Sequence, residues 1–288
     1  MPPATDHLPQ PVETRIVTPN CLPTFVGIGA QRAGSTWVHQ CLNEHPQIFM
    51  PRQKELGFFG RRDSAELPRY AEHFAHGAGH DVRGEVTPTY LYDPRALEQI
   101  ASDLPGVRLF AVLREPVSRA FSAYQLFGEQ RYRGVSFAQA CTADSDLVRY
   151  GRYAEALDVV WRHFDRGQVK VFLYDDLASD PQTLLRGLYR FIGVDPDFQP
   201  TCRSRRYNRI MFPRTQRRLE QFGLGGAVNW FKTTRAGDWV RTLHARAGRR
   251  AADTLSPRQR KRIAAQFADD IDRLEVMLGR SLDAWRLA

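Results

Sequence analysis

The sequence predicts an α/β protein with a P-loop-like domain, in which a central parallel β-sheet is flanked by helices on both faces. Two observations lead to this prediction. Short apolar runs at 25–28, 107–113 and 169–174 are typical of strands buried in a parallel sheet. Segments with helical periodicity separate them, and strands that alternate with helices indicate parallel crossover connections.

We predict one domain over residues 23–288, preceded by a flexible N-terminal arm over residues 1–22 that holds five prolines. A chain of 288 residues with 42% hydrophobic residues can bury a complete α/β core. No stretch approaches the roughly 18 to 20 apolar residues of a membrane span, and the N-terminus has no apolar signal core. We therefore expect a cytoplasmic protein without a transmembrane segment. The sequence leaves the oligomeric state open.

The first strand runs into a loop between Gly29 and Gly34, and a helix then begins at Ser35 and Thr36. Such a strand, loop and helix start is a favourable place for an anion, because the first amides of the helix lack internal partners. The two glycines have the spacing of G-x-x-x-x-G-K-[ST], but Ser35 replaces the lysine, which disfavours an ATPase or kinase. Arg32, inside the loop, supplies the charge instead. From this stretch alone, an ordinary strand-to-helix turn remains the alternative.

The later elements follow from proline and glycine positions and from periodicity. Helices begin at prolines that suit a first turn, and Gly193 ends one of them. The predicted helices cover 67–76, 94–104, 117–127, 153–164, 181–192 and a C-terminal segment that begins near 256. A short strand is predicted at 81–86. Residues 47–59 are typical of neither a helix nor a strand, 128–149 are predicted to be irregular, and 203–238 a long basic loop with short helices.

The formal net charge is +9, and nearly all basic residues are arginine. Arginine suits phosphate and sulfate because its planar fork of donors matches their oxygens. Arginine-favouring codon usage and a nucleic-acid surface are the alternatives. No zinc-finger spacing or RNA-binding aromatic motif accompanies the arginine clusters of the last third, so we expect no nucleic-acid partner. The sequence also shows no cluster of metal ligands.

Three features taken together resemble a known family. They are the loop at 29–36, Arg114 at a strand end with Ser122 eight residues later, and the charged-aromatic stretch at 54–59. The chain from about residue 24 onward resembles the sulfotransferases that use 3′-phosphoadenosine 5′-phosphosulfate (PAPS), especially heparan-sulfate-type and related bacterial members.

The resemblance implies a set of nucleotide-binding residues. The 5′-phosphosulfate would be held by Arg32, Ala33, Gly34, Ser35, Thr36 and Trp37. Arg114 and Ser122 match the pair that binds the 3′-phosphate, and Tyr207 and Arg214 fall in the region assigned to covering the nucleotide. The family usually has lysine where Arg32 stands. Arginine keeps the charge but changes the reach, so stabilisation of the leaving group is expected and proton donation is not.

The resemblance also implies that Glu55 is the general base, with Arg32 as the second catalytic residue and Lys54, Phe58 and Thr87 on the acceptor side. A positioned carboxylate is needed because an acceptor hydroxyl has a very high pKa. Taken alone, a glutamate beside a lysine is more often a solvated ion pair. Heparan-sulfate-type enzymes have a lysine where Val86 stands, so this chain lacks one acceptor-facing cation.

The sequence therefore predicts a sulfotransferase that moves a sulfuryl group from PAPS to an acceptor hydroxyl and releases adenosine 3′,5′-bisphosphate (PAP), with no metal. A carbohydrate or glycolipid is the first acceptor class and a small-molecule natural product the second. The alternatives are a P-loop-type nucleotide kinase and a non-catalytic, arginine-rich binder of polyanions or nucleic acid. The sequence does not identify the acceptor.

Overall fold

The computed structural model of the chain describes residues 21–61, 66–204 and 256–287. Its sheet contains five parallel strands in the order β2-β3-β1-β4-β5, which confirms the predicted parallel sheet. The strands are β1 (Phe25–Gly29), β2 (Ile48–Phe49), β3 (Val82–Val86), β4 (Arg108–Leu113) and β5 (Val169–Leu173).

Helices connect the strands and cover both faces of the sheet. Those in the first half of the chain are α1 (Ser35–Glu44), α2 (Leu67–Glu72), α3 (Pro94–Asp103) and α4 (Pro116–Arg131). The middle of the chain adds α5 (Phe137–Ala140), α6 (Asp146–Arg149), α7 (Tyr153–His163), α8 (Tyr174–Ser179) and α9 (Pro181–Ile192). The C-terminal helices are α10 (Pro257–Ala264), α11 (Ala268–Leu278) and α12 (Asp283–Leu287).

Strand β4 shows how the sheet divides the core. Successive side chains of a strand point to opposite faces, and Leu109 and Ala111 join one buried cluster whereas Phe110 and Val112 join another. The first cluster includes apolar residues of α3, α7 and α11, and the second includes those of α1 and α9. Apolar side chains therefore cover both faces of β4, which explains why this strand is apolar at every position after Arg108.

The loop after β1 lies at the centre of the carboxyl edge of the sheet. β1 pairs with β3 on one side and with β4 on the other, with Phe25 beside Gly84 and Arg108. In a parallel sheet all strand ends lie on one edge, and ligands bind in the crevice outside that edge. The residues that follow β1, β3 and β4 therefore converge.

Helices α3, α4, α9 and α10 begin at prolines, as predicted, and the first three of them have an acidic cap in front of the proline. Asp93 accepts hydrogen bonds from the amides of Arg95 and Ala96 at 3.0 and 3.2 Å. Glu115 caps α4 by accepting from the amides of Val117 and Ser118 at 2.7 and 2.8 Å. Such caps satisfy amides that have no partner within the helix.

The structure differs from the prediction in several places. The stretch 47–59 contains the short strand β2, and 128–149 contains the end of α4 together with α5 and α6. A 3-10 turn, Ala265–Phe267, divides the predicted C-terminal helix into α10 and α11. Short elements of two to four residues carry too little periodicity to be identified in sequence. Most of the predicted arm and most of the predicted basic loop lie outside the described residues.

Asp270 joins the C-terminal part of the chain to the centre of the domain. Its carboxylate lies on α11, is 8% exposed, and accepts from the amides of Ala154 and Glu155 in the first turn of α7 at 3.0 and 3.1 Å. A carboxylate at a helix N-terminus also interacts favourably with the helix dipole. One side chain thus caps a helix that lies more than 100 residues earlier in the sequence.

Asp270→Ala should reduce the free energy of unfolding by about 1 to 3 kcal/mol, because it leaves two buried amides without an acceptor. Asp269→Ala is the matched control, since that neighbouring side chain is exposed. Chemical denaturation of both variants measures the difference. Equal stability of the two variants would show that the contact between α11 and α7 contributes nothing.

Candidate active site

The N-terminus of α1 has no side-chain cap, unlike those of α3, α4 and α9. Its cap residue is Gly34, whose φ of 94° lies in the left-handed region that favours glycine. The first turn contains no acidic residue, and no side chain of the described residues caps it. Gly29, at the other end of the loop, packs so closely that a Cβ there would lie 2.6 Å from Leu91. The loop therefore presents free backbone donors that suit an anion.

Arg32, Ser122 and Arg114 meet beside this loop. The Nε of Arg32 donates to the Oγ of Ser122 at 3.1 Å, and an Nη of Arg114 donates to the backbone carbonyl of Arg32 at 3.2 Å. Ser122 lies on α4, two turns after the end of β4, and Arg114 directly follows β4. The predicted phosphosulfate residue and the predicted 3′-phosphate pair thus form one hydrogen-bonded group.

Arg114 is held from two further sides. Its guanidinium carbon lies 4.8 Å from the ring centroid of Tyr174, at the end of β5. Its backbone carbonyl accepts from the hydroxyl of Tyr153 at 2.8 Å. A stacked arginine retains donors for a ligand while its plane is fixed.

The electrostatics of this group favour an anion. Burial lowers the pKa of Arg32, the positive charges of Arg114 and Arg119 lower it further, and the charge of Glu55 opposes this. These directions indicate that three guanidinium groups lie close enough to repel one another. An anion placed among them relieves that repulsion.

Arg32 and Glu55 both have backbone conformations that are unusual for their residue types. Their φ angles are 71° and 60°, in the left-handed region that non-glycine residues seldom adopt. Such conformations cost of the order of 1 kcal/mol or more and persist only where the surroundings impose them. The two residues that the sequence identifies as catalytic candidates are therefore held in specific directions.

Glu55 forms an ion pair with Lys54 and still faces a cleft. Its side chain is 47% exposed. The cleft has a volume of about 470 Å³, and its wall includes Glu55, Gln31, Thr87, Arg119 and Tyr150. It therefore extends from the anion loop, which contains Gln31, to the carboxylate. An acceptor in this space could contact both the anion loop and the carboxylate of Glu55.

Glu85 is a buried carboxylate whose hydrogen bonds support the loop that carries Glu55. Glu85 is 2% exposed and accepts from the hydroxyls of Thr87, Tyr70 and Tyr90 at 2.6, 2.9 and 3.2 Å. The backbone N–H of Leu56 also hydrogen-bonds to it. Burial raises the pKa of Glu85 above its ordinary value, and these hydrogen bonds oppose the rise.

The side chains that hydrogen-bond to Glu85 also hydrogen-bond to backbone amides of the residues after Glu55. The hydroxyl of Tyr90 accepts from the amides of Phe58 and Phe59 at 2.9 and 3.3 Å. The hydroxyl of Thr87 lies 3.4 Å from the amide of Gly57. The loop therefore has its amides satisfied by side chains from the end of β3 and the turn after it, which fixes the position of Glu55.

Comparison with known proteins finds a protein family that is similar to part of this chain. Residues 61–200 match the model of the Sulfotransferase family. The match covers just under half of the chain, and over that range the chain is similar to sulfotransferases. The match includes Arg114 and Ser122, whereas Arg32 and Glu55 lie N-terminal to it. Sulfotransferases are transferase enzymes.

Two curated relatives and one solved structure illustrate the similarity. The membrane-associated sulfotransferase kil1 of Dictyostelium discoideum is 32% identical over 117 residues, which are 40% of this chain and 24% of that protein. Heparan sulfate glucosamine 3-O-sulfotransferase 3B1 of Mus musculus is 27% identical over 182 residues, which are 60% of this chain and 46% of that protein. The sulfotransferase from Alicyclobacillus acidocaldarius shares the fold with a TM-score of 0.68 and 24% identity, over 92% of this chain and 99% of that chain. The chain thus spans about a quarter to a half of the length of the curated relatives described here.

The structure brings together Arg32, Arg114, Ser122 and Glu55 from the predicted set, and their roles stay predictions. Thr87 lines the cleft, whereas Lys54 reaches the site only through its ion pair with Glu55. Tyr207 and Arg214 lie outside the described residues.

Two aromatic side chains of the predicted set pack into the fold. The ring of Trp37 is 5% exposed and its Nε1 donates to the carbonyl of Arg203 at 3.4 Å, so Trp37 offers a ligand its backbone amide. Phe58 stacks on Tyr70, with ring centroids 4.5 Å apart. Phe59, the other member of the aromatic pair, contributes to the cleft wall.

Neither Arg119 nor Glu85 was identified as a site residue from the sequence. Arg119 lies on α4 three residues before Ser122, on the same side of the helix, and that spacing was a usable signal. The burial of Glu85 could not be read from an isolated glutamate in a short strand. Its four hydrogen bonds make it a positioning residue for the Glu55 loop.

Two further properties concern the part of the chain that the structure describes. No helix within it is long and apolar enough to span a membrane. No group of three or more histidine, cysteine, aspartate or glutamate side chains within it is arranged to hold a metal ion.

Glu85→Gln should change how stability depends on pH. Because the folded-state pKa of Glu85 is raised above its ordinary value of 4.5, the folded protein binds the proton more tightly, and wild-type stability falls as the pH rises above about 4.5. Glutamine cannot ionise, so the unfolding free energy of the variant minus that of the wild type should increase from pH 4 upward.

Denaturant unfolding at a series of pH values measures this difference. Glu98→Gln, an exposed glutamate on α3, is the matched control for the loss of one carboxylate. A difference between Glu85→Gln and wild type that stays constant with pH contradicts the assignment.

Proposed function

We propose that this chain transfers a sulfuryl group from PAPS to an acceptor hydroxyl and releases PAP. The observation that carries the proposal is the 3.1 Å hydrogen bond between Arg32 and Ser122, which joins the anion loop to α4 across 90 positions of sequence. It creates one site with two anion-binding ends, as a nucleotide with a 5′-phosphosulfate and a separate 3′-phosphate requires. Similarity to the sulfotransferase family over residues 61–200 supports the same reaction.

The residues present fit PAPS. The uncapped first turn of α1 and the guanidinium of Arg32 offer donors to the 5′-phosphosulfate. Arg114 and Ser122 offer a charge and a hydroxyl to the 3′-phosphate. Bound PAPS supplies the activated sulfuryl group, and Arg32 stabilises the negative charge that develops on the phosphate as the sulfur–oxygen bond breaks.

Glu55 is the proposed general base. It is the carboxylate of the cleft wall that lies next to the Arg32 group, as their mutual electrostatic effect indicates. It accepts the proton of the acceptor hydroxyl while that oxygen attacks the sulfur. The ion pair with Lys54 keeps the carboxylate next to a positive charge.

The size of the cleft indicates which kind of acceptor it could hold. Its volume of about 470 Å³ suits a sugar unit or another small hydroxyl compound. One relative is named for heparan sulfate glucosamine, which supports a carbohydrate or glycolipid as the first class. A small-molecule natural product is the second.

Arg114→Ala should weaken PAP binding by about 1.5 to 3 kcal/mol, because a charged hydrogen bond to the 3′-phosphate is lost. Adenosine 5′-phosphosulfate lacks that phosphate and should lose much less. Calorimetric titration of both ligands measures the two effects, and Arg108→Ala, an exposed arginine at the start of β4, is the control. Equal losses for both ligands contradict this role.

Glu55→Gln should lower kcat by roughly 10²- to 10⁴-fold while the affinity for PAP is retained, because glutamine keeps the size of the side chain but not its basicity. Transfer of radiolabelled sulfate from PAPS to a panel of carbohydrate and phenolic acceptors tests the variant and the proposed function together. An acidic phenol, already deprotonated, should recover part of the rate. Absence of transfer by the wild type to every acceptor, together with absence of PAP binding, refutes the function.

A further inference from the structure

Arg119 is a buried arginine whose charge has no anionic partner among the described residues. Its side chain is 0% exposed. One Nη donates to the backbone carbonyl of Leu147, while Nε and the other Nη have no hydrogen-bond partner. Burying a guanidinium without a counter-charge is strongly unfavourable, so such a group calls for an explanation.

The position of Arg119 indicates where a partner could come from. Arg119 forms part of the cleft wall that also contains Glu55 and Tyr150. Tyr150 stacks on Tyr92 with ring centroids 4.1 Å apart and an interplanar angle of 3°, which gives the cleft a rigid aromatic side. A ligand in the cleft would therefore lie between the proposed base and a guanidinium with unused donors.

The carboxylates of the cleft wall are already engaged. Glu55 pairs with Lys54, and Asp146 pairs with Arg131 at 3.2 Å. Asp93 caps α3 through the amides of Arg95 and Ala96. Among the described residues, no carboxylate of the wall is left to neutralise Arg119, and a ligand in the cleft can supply the counter-ion.

We propose that Arg119 is the binding residue for a single oxyanion, a carboxylate or a sulfate ester, carried by the acceptor near the hydroxyl that is sulfated. This inference rests on the proposed function and deepens it, because it gives the acceptor a charge. One buried guanidinium binds one such group, since an oxyanion accepts the donors that the protein leaves unused. The acceptor is therefore expected to be a hydroxyl compound with an acidic substituent.

Three matched sugars test this proposal on the full chain. They are p-nitrophenyl β-D-glucuronide, the corresponding β-D-glucoside and the glucoside 6-sulfate, which differ only at carbon 6. Calorimetric titration in the presence and absence of PAP measures their affinities for the wild type, Arg119→Gln and Arg119→Lys. Arg273→Gln is the control, because Arg273 is an exposed arginine that pairs with Asp158 outside the cleft wall.

The wild type and Arg273→Gln should bind at least one of the two anionic sugars about tenfold or more tightly than the glucoside. The sugar with the larger preference identifies the oxyanion. Arg119→Gln should lose the preference, and Arg119→Lys should keep part of it because it keeps the charge. Equal binding of all three sugars by the wild type, or a preference that survives in Arg119→Gln, overturns the proposal.

Thermal unfolding of Arg119→Met without ligand distinguishes binding from a purely structural role. A charge that awaits a ligand does not stabilise the free protein, so this variant should melt at or above the wild-type temperature. A much lower melting temperature would show that the guanidinium is structural and would overturn the proposal. If PAP fails to bind the wild type, the proposed function fails, and the sugar titrations without nucleotide still decide the role of Arg119.

Discussion

The concentration of positive charge at the carboxyl edge of the sheet is the constraint on which the rest of the site depends. Arg32, Arg114 and Arg119 are close enough that the last two lower the pKa of the first. Repulsion of this kind costs stability in the free protein, and the fold tolerates it because each guanidinium is fixed by neighbouring groups: a serine hydroxyl, a tyrosine ring and a backbone carbonyl. A site that is unfavourable when empty is favourable for anions.

A buried carboxylate provides the complementary half of the site. Glu85 accepts hydrogen bonds from three hydroxyls and one amide. Through these groups it fixes the loop that carries Glu55. The cationic group follows β1 and β4, and the Glu85 cluster lies on β3 and the turn after it. Because β1 lies between these strands, the sheet itself sets the separation of the proposed base and the anion site.

The parallel sheet, most helix starts and the anion loop could be predicted from sequence because each has a local cause. Continuous apolar runs mark buried parallel strands, and prolines mark first turns. The predicted convergence of Arg32, Arg114 and Ser122 came from a family resemblance. In the structure, the hydrogen bond from Arg32 to Ser122 shows how two of these side chains meet. Which of these residues touch the nucleotide stays a prediction.

Other features could not be predicted because their causes are not local. The burial of Glu85 and Arg119 depends on groups from other segments, such as the hydroxyl of Tyr70 and the backbone carbonyl of Leu147. The cap that Asp270 provides for α7 joins residues more than 100 positions apart. The short helices α5 and α6 contain a single turn each, and the φ angles of Arg32 and Glu55 have no signature in residue type.

A crystal structure of the chain with PAP is the most direct test of the central claim, that one site joins two anion-binding ends. The account predicts the 5′-phosphate within hydrogen-bond distance of the first-turn amides of α1 and of Arg32, and the 3′-phosphate against Arg114 and Ser122. A nucleotide bound elsewhere, or bound here with the 3′-phosphate directed away from Arg114 and Ser122, would contradict it.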